Sequence, residues 1–199
     1  MEARLFDPLN PPEWLDPLWW VDQPHVNHVD NRVHQARLQS AASAANYLAE
    51  GRRAKHRICD IGSCDGGLLQ LLDPIHEPFG YDVIEVSIKY GQEVRGVDLR
   101  YGDVTGDPTL ELAPVVVCTE MLEHLKDPHG FLKELRQRDI VEYAIFSSPH
   151  SETAEYHEWN HAWAWDREGY AKMITDAGWT IVSHIDVEWS QQIVAKKNG

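Results

Sequence analysis

Cysteine is scarce in this chain, with only Cys59, Cys64 and Cys118 in 199 residues and no Cys-x-x-Cys pair. That argues against a disulfide framework and suits reduced thiols, and a chain this long buries enough core without covalent staples. Basic residues are also few, 18 against 32 acidic ones, for a net charge of −14. Such a surface repels phosphate backbones, makes nucleic acid an improbable partner and favours cationic ligands. No apolar run approaches membrane-spanning length, and the start Met-Glu-Ala-Arg-Leu-Phe-Asp-Pro has no apolar core for a secretion signal. The expectation is a cytoplasmic protein with no membrane partner. Repeats and low-complexity tracts are missing, as is the Gly-x-Gly-x-x-Gly turn that a hydride-transfer nucleotide fold would carry.

What is present centres on Arg57-Ile-Cys-Asp-Ile-Gly-Ser-Cys-Asp-Gly-Gly-Leu-Leu69. Ile58 and Ile61 predict a strand, Gly62, Gly66 and Gly67 a tight turn, and Leu68, Leu69, Leu71 and Leu72 a helix. A strand, a tight turn and a helix form the start of a βαβ unit, with backbone N–H groups facing a ligand. Further strands are expected over 79–83, 97–105, 114–119 and 143–147, with helices over 29–48, after Pro128 and over 166–174. Pro114-Val-Val-Val-Cys-Thr119 is polar-free until its end, as a buried parallel strand should be. Residues 179–187 and 190–196 follow one another with no helix between, which predicts a hairpin. Alternation of this kind predicts an α/β fold with a parallel sheet.

Residues 1–27 hold five of the eleven prolines, together with Trp14, Trp19 and Trp20. Proline removes backbone donors, so this segment is expected to be an irregular arm or lid, distinct from a domain over 28–199. Exposed tryptophans at that density would aggregate, so the arm should fold over the domain, as packing or as an aromatic acceptor wall. The basic run Arg52, Arg53, Lys55, His56 and Arg57 most simply complements a helix C-terminus.

Several of these stretches, in order over residues 55–195, resemble the class I S-adenosylmethionine-dependent methyltransferases. Asp60-Ile-Gly-Ser-Cys-Asp-Gly66 resembles their methionine-binding loop, although Cys64 stands where many members have a glycine. Asp82 resembles the acid at the end of the second strand that takes the ribose hydroxyls, with Glu85 as the fallback. Its spacing from Gly62 suits that role, although a carboxylate after a strand is also often a solvated loop residue. Gly102-Asp103-Val104 resembles the adenine-side turn, while Asp103 before Gly106 also reads as an Asx-turn. Cys118-Thr-Glu-Met-Leu-Glu-His-Leu125 resembles the segment after the fourth strand in ubiquinone-type O-methyltransferases. The resemblance implies a Rossmann-like, doubly wound sheet of seven strands, order 3-2-1-4-5-7-6 with an antiparallel last strand. It also implies S-adenosylmethionine as cofactor, held by Asp60, Gly62, Ser63, Cys64, Gly66, Asp82, Val83, Asp103, Val104 and Glu120.

Methyl transfer needs positioning, and a base only if the acceptor carries a proton. His124, His150 and His161 are the candidates, with His157 beside them, although packing suffices for most of eleven histidines. Glu120, Glu123, His124 and His161 also resemble the metal site of small-RNA 3′-terminal 2′-O-methyltransferases, which implies magnesium or manganese. The same Glu-x-x-Glu-His run occurs in methyltransferases that use no metal. Three functions stand open: methyl transfer to oxygen or nitrogen of a small-molecule acceptor, which leads; RNA-end methylation; and a non-catalytic adenosylmethionine-binding subunit.

Overall fold

The computed structural model describes residues 1–23, 29–50 and 57–197. The chain opens with a strand, β1 (Glu2–Arg4), and a single helical turn, α1 (Pro17–Trp20), whose cap is Asp16 accepting from the Leu18 amide. Helix α2 (Arg32–Glu50) follows, and then β2 (Ile58–Ile61), β3 (Phe79–Asp82), α3 (Glu85–Tyr90) and β4 (Asp98–Tyr101). The second half comprises β5 (Val115–Thr119), α4 (Pro128–Gln137), β6 (Tyr143–Pro149), β7 (Trp163–Trp165), α5 (Arg167–Asp176), β8 (Trp179–Val187) and β9 (Ser190–Lys197). Among the described residues no helix is long and apolar enough to cross a membrane.

Seven strands form the main sheet in the order β4-β3-β2-β5-β6-β9-β8. Neighbours run parallel from β4 to β6, and β9 runs antiparallel to both β6 and β8. Counted within that sheet alone, the order is the 3-2-1-4-5-7-6 implied by the resemblance. Alternation along β5 shows why the sheet is buried on both sides. Val116 and Cys118 face a core shared with Leu132, Trp165, Tyr170 and Ile174. Val115 and Val117 face the other, against Leu38, Ala41, Ala45 and Ala49 of α2, whose small side chains let the helix lie close.

Three expectations are corrected. No regular helix follows the glycine turn: the chain makes one 3₁₀ turn at Leu69–Leu71 and a second at Pro74–His76, capped by Asp73. Proline at 74 leaves room for under two turns after Gly67, although Leu68, Leu69 and Leu72 stay buried against α2. The arm is not irregular throughout, because β1 pairs antiparallel with β7, and the Trp165 indole donates to Glu2 at 3.0 Å. The expected strand over 97–105 is shorter, ending at Tyr101 before the turn at Gly102. Of the basic run, 52–56 lies outside the described residues, as does Pro24 of the arm; Arg57 pairs with Glu111.

Candidate functional site

A cleft of about 1020 Å³ opens at the carboxyl ends of β2, β3 and β5, where ligands bind in open α/β sheets. Residues of the arm, α2 and the 149–161 segment wall it.

Its floor is the glycine turn. Gly62 has φ +74°, and a Cβ there would meet Met121 at 3.1 Å. The Gly62 and Ser63 amides donate to the Tyr81 carbonyl at 2.9 and 3.0 Å, and the Ser63 hydroxyl donates to the Asp60 carbonyl at 2.7 Å. Gly80 on the neighbouring strand permits that fold-back, since a Cβ on it would lie 2.0 Å from Ser63 Oγ. Cys64 takes φ +48°, the left-handed conformation that glycine adopts more cheaply. Gly66 also has positive φ, but it faces Val97 and does not line the cleft.

Asp82 brackets this turn. Its carboxylate accepts from the Cys64 amide at 2.6 Å and the Ile84 amide at 2.8 Å, while still bordering the cleft beside Val83. Burial pushes its pKa up, opposed by those amides. Glu85, the fallback, is exposed at the start of α3 and does not line the cleft. Asp103 forms an Asx-turn, accepting from the Thr105 amide at 2.9 Å and hydroxyl at 2.6 Å, and it lines the cleft with Val104. Asp60 is buried, and desolvation pushes its carboxyl up to about 7, with the nearby Asp82 charge adding to the effect.

Beyond β5 the backbone is strained. Glu120 sits at φ +50°, a conformation that non-glycine residues adopt mainly where the surroundings impose it. Its amide donates to the Ser147 carbonyl at 3.1 Å, and its carboxylate accepts from the Ser147 hydroxyl at 2.7 Å and the Ser190 hydroxyl at 3.1 Å. Glu123 is fully buried, and neither carboxylate oxygen has a hydrogen-bond partner. Burial, and then the Glu120 charge, hold its pKa well above the ordinary range. His124 Nδ1 donates to the Asn160 carbonyl at 3.0 Å, and His161 Nδ1 donates to Glu152 at 2.7 Å. Those partners assign the tautomers, making each Nε2 the acceptor nitrogen. The two rings lie 4.7 Å apart, and one ligand atom each from Glu123, His124 and His161 falls within 4.8 Å of the others.

The sequence-derived set is thus divided. Glu123, His124 and His161 come together, whereas Glu120 is turned to Ser147 and Ser190 and stands outside that cluster. His150 is corrected as a base: its Nε2 meets the Glu188 carbonyl at 2.9 Å in the β8–β9 turn, and it does not line the cleft. His157 likewise turns to the Thr153 carbonyl at 3.2 Å. Two residues escaped sequence reasoning, Glu152 and Arg37. For Arg37 a signal existed, a cation set among the alanines of a helix face that must be buried.

The mouth is aromatic. Trp14 and Trp19 meet Trp159 edge-on at 6.3 and 6.1 Å, and Trp20 meets the His124 ring at 6.1 Å. Trp14, Trp20 and Tyr156 line the cleft.

Comparison with known proteins agrees with this architecture. The profile of a family described as methyltransferase domain matches residues 32–184. No curated protein matches by sequence. Among solved structures, magnesium protoporphyrin IX methyltransferase from Synechocystis PCC 6803, with bound S-adenosylhomocysteine, is similar at TM-score 0.62 and 16% identity, covering 91% of this chain and 93% of that one. The methyltransferase domain of bacterial CtHen1 gives TM-score 0.65 and 19% identity over 83% and 100% of the two chains. A SAM-dependent methyltransferase from Aquifex aeolicus gives 0.62 and 16% over 92% and 99%. The chain belongs to the methyltransferase domain family, and its fold is that of the class I S-adenosylmethionine-dependent methyltransferases.

Proposed function

We propose that this protein transfers the methyl group of S-adenosylmethionine to an oxygen or nitrogen of a small-molecule acceptor. The observation that carries this reading is the cluster of Glu123, His124 and His161 in the same cleft as the glycine turn. The residues present suit the cofactor. Gly62 and Gly80 keep the turn open to a close ligand, the buried Asp60 offers counter-charge to a cationic ligand, and Asp82 at the end of β3 is the acceptor for the ribose hydroxyls. Asp60, Gly62, Ser63, Cys64, Asp82, Val83, Asp103 and Val104 would hold it. When bound, it supplies a methyl group on a sulfonium whose leaving group departs as a neutral thioether, so no acid is needed.

The protein's own groups then position the acceptor and take its proton. Nδ1 of each histidine is engaged by a fixed acceptor, so Nε2 is the basic nitrogen that receives a hydroxyl or amine proton. Glu152 stabilises the imidazolium this creates on His161. Trp14 and Trp20 wall that step, and together with the exposed Tyr156 they offer flat faces to an apolar acceptor body. The test is methylation of a panel of phenols, catechols and amines by wild type and His161→Ala. A base of this kind is worth about 10²–10⁴-fold in turnover. A panel left wholly unmethylated by wild type would instead favour a non-catalytic binding subunit.

A second reading rests on Glu123 alone among the carboxylates, since a buried, unpartnered carboxylate close to two imidazoles is also a donor set for a divalent cation. Magnesium or manganese held there would orient vicinal hydroxyls, such as those at an RNA 3′ end, and the net charge of −14 weighs against that acceptor. Thermal stability and activity with EDTA and with added manganese separate the two readings.

A further inference from the structure

The cleft is strongly acidic. Among the described residues ten carboxylate side chains line it, and Arg37 and Lys126 are its only arginine or lysine. Most of those acids have a partner or face water. Glu152 holds the His161 ring at 2.7 Å, Glu120 accepts from the Ser147 and Ser190 hydroxyls, and Asp127 accepts from the Gly130 amide at 2.9 Å. Glu134 and Glu158 are exposed. Glu123 is different. It lies in the 3₁₀ turn Leu122–His124, and its backbone carbonyl accepts from the Ala162 amide at 2.6 Å, which pins the turn to the wall that carries His161. Its side chain is fully buried, with no hydrogen-bond partner on either oxygen, and it borders the cleft. One of those oxygens lies within 4.8 Å of a ring nitrogen of His161.

A buried carboxylate with nothing to balance it is strongly unfavourable, and a cation entering beside it relieves that. A hydroxyl acceptor brings no such cation. The cleft would then hold one mobile positive charge throughout, the sulfonium before transfer and the His161 imidazolium after it, and Asp60 and Glu152 already face those two. An ammonium acceptor brings a second charge. His161 Nε2 takes one of its protons, and the freed nitrogen lone pair forms the new N–C bond as the S–C bond breaks. The products are a methylammonium, a neutral thioether and the imidazolium, so two positive charges are present before and after. Glu123 is the acid left to face the added one. Trp14 and Trp20 wall the same space, the Trp20 ring 6.1 Å from that of His124, and indole faces attract an ammonium. A phenolate or carboxylate would instead meet Glu123, Glu152 and Glu158 with a charge of the same sign.

We propose that the acceptor is an amine that enters as its ammonium, with Glu123 as counter-charge and Trp14 and Trp20 as walls, an inference that rests on the small-molecule methyl-transfer reading above. The test is calorimetric titration of the protein saturated with S-adenosylhomocysteine, at neutral pH and with EDTA present so that no divalent cation occupies the carboxylate. The probes are 2-phenylethylamine and 2-phenylethanol, which share a body and differ in the charge of one small end group. A charge-assisted hydrogen bond predicts that wild type binds the amine about 10- to 100-fold more tightly. Glu123→Gln should bring the ratio close to unity, with its S-adenosylhomocysteine affinity as the check on folding. Where that variant does not fold, the wild-type ratio decides. Equal binding of the two probes, tighter binding of the alcohol, binding of neither, or a ratio that survives Glu123→Gln overturns the assignment. Phenols methylated while amines stay untouched would overturn it and leave the methyl-transfer reading intact. Wild type that does not bind S-adenosylhomocysteine overturns that reading itself.

Discussion

Asp60→Asn is predicted to stabilise the protein without cofactor while weakening its hold on the cofactor. Asp60 is buried at the tip of β2, and its carboxyl is pushed up to about 7 in the folded chain, against 3.8 when exposed. The folded state therefore holds more protons than the unfolded one between those values, and stability falls as pH rises through that window. At about 1.36 kcal/mol per pH unit, the loss reaches about 4 kcal/mol above pH 7. Asparagine has nearly the same shape and no charge to desolvate, so its advantage is near zero at pH 4, grows to pH 7 and then levels off. For a chain of this size 1 kcal/mol moves the melting temperature by about 2–4 °C, so a gain of about 10 °C is expected at pH 8. The assay is thermal unfolding of both proteins without ligand from pH 5 to 8.5, repeated with saturating S-adenosylhomocysteine. The ligand should raise wild type more than the variant, because only the carboxylate offsets the ligand ammonium. An Asp60→Asn protein less stable than wild type at pH 8 would refute the reasoning, since it would mean the ionised carboxylate is already satisfied in the fold.

Two further perturbations bear on the same cleft. Glu123→Gln removes a buried carboxyl with no partner, so it should raise the melting temperature at pH 8; a manganese-induced rise in melting temperature, present in wild type and lost in the variant, would favour the metal reading. Gly80→Ala places a methyl 2.0 Å from Ser63 Oγ and 2.9 Å from the Asp60 carbonyl, so urea unfolding should show a loss of about 1–3 kcal/mol and calorimetry a weaker S-adenosylhomocysteine complex.

The sheet was legible because its signals are local. Val115 to Val117 read as a central strand from residue type alone, and the spacing of Gly62 from Asp82 placed two strand tips side by side. Where the reading failed, the deciding contact was distant in sequence or the segment was too short for the element its spacing promised. Leucine spacing after Gly67 promised a helix, and Pro74 stopped it. His150 and His161 are equally plausible as bases on a strip of sequence; only the β8–β9 turn, through the Glu188 carbonyl, draws the first away. Arg37 lies 82 residues from Thr119, and no local pattern announces that meeting. The pairing of Glu2 with Trp165 spans nearly the whole chain and was equally invisible.

That pairing also governs which parts of the cleft wall can be exchanged. The two segments that overhang the acids and imidazoles are stitched into one piece by the β1–β7 ladder and by indole edges between Trp14, Trp19 and Trp159. They form a single hood. A chimaera that borrows one segment from a relative and keeps the other therefore inherits a mismatched seam, whereas exchanging both together transplants a working roof onto an unchanged floor.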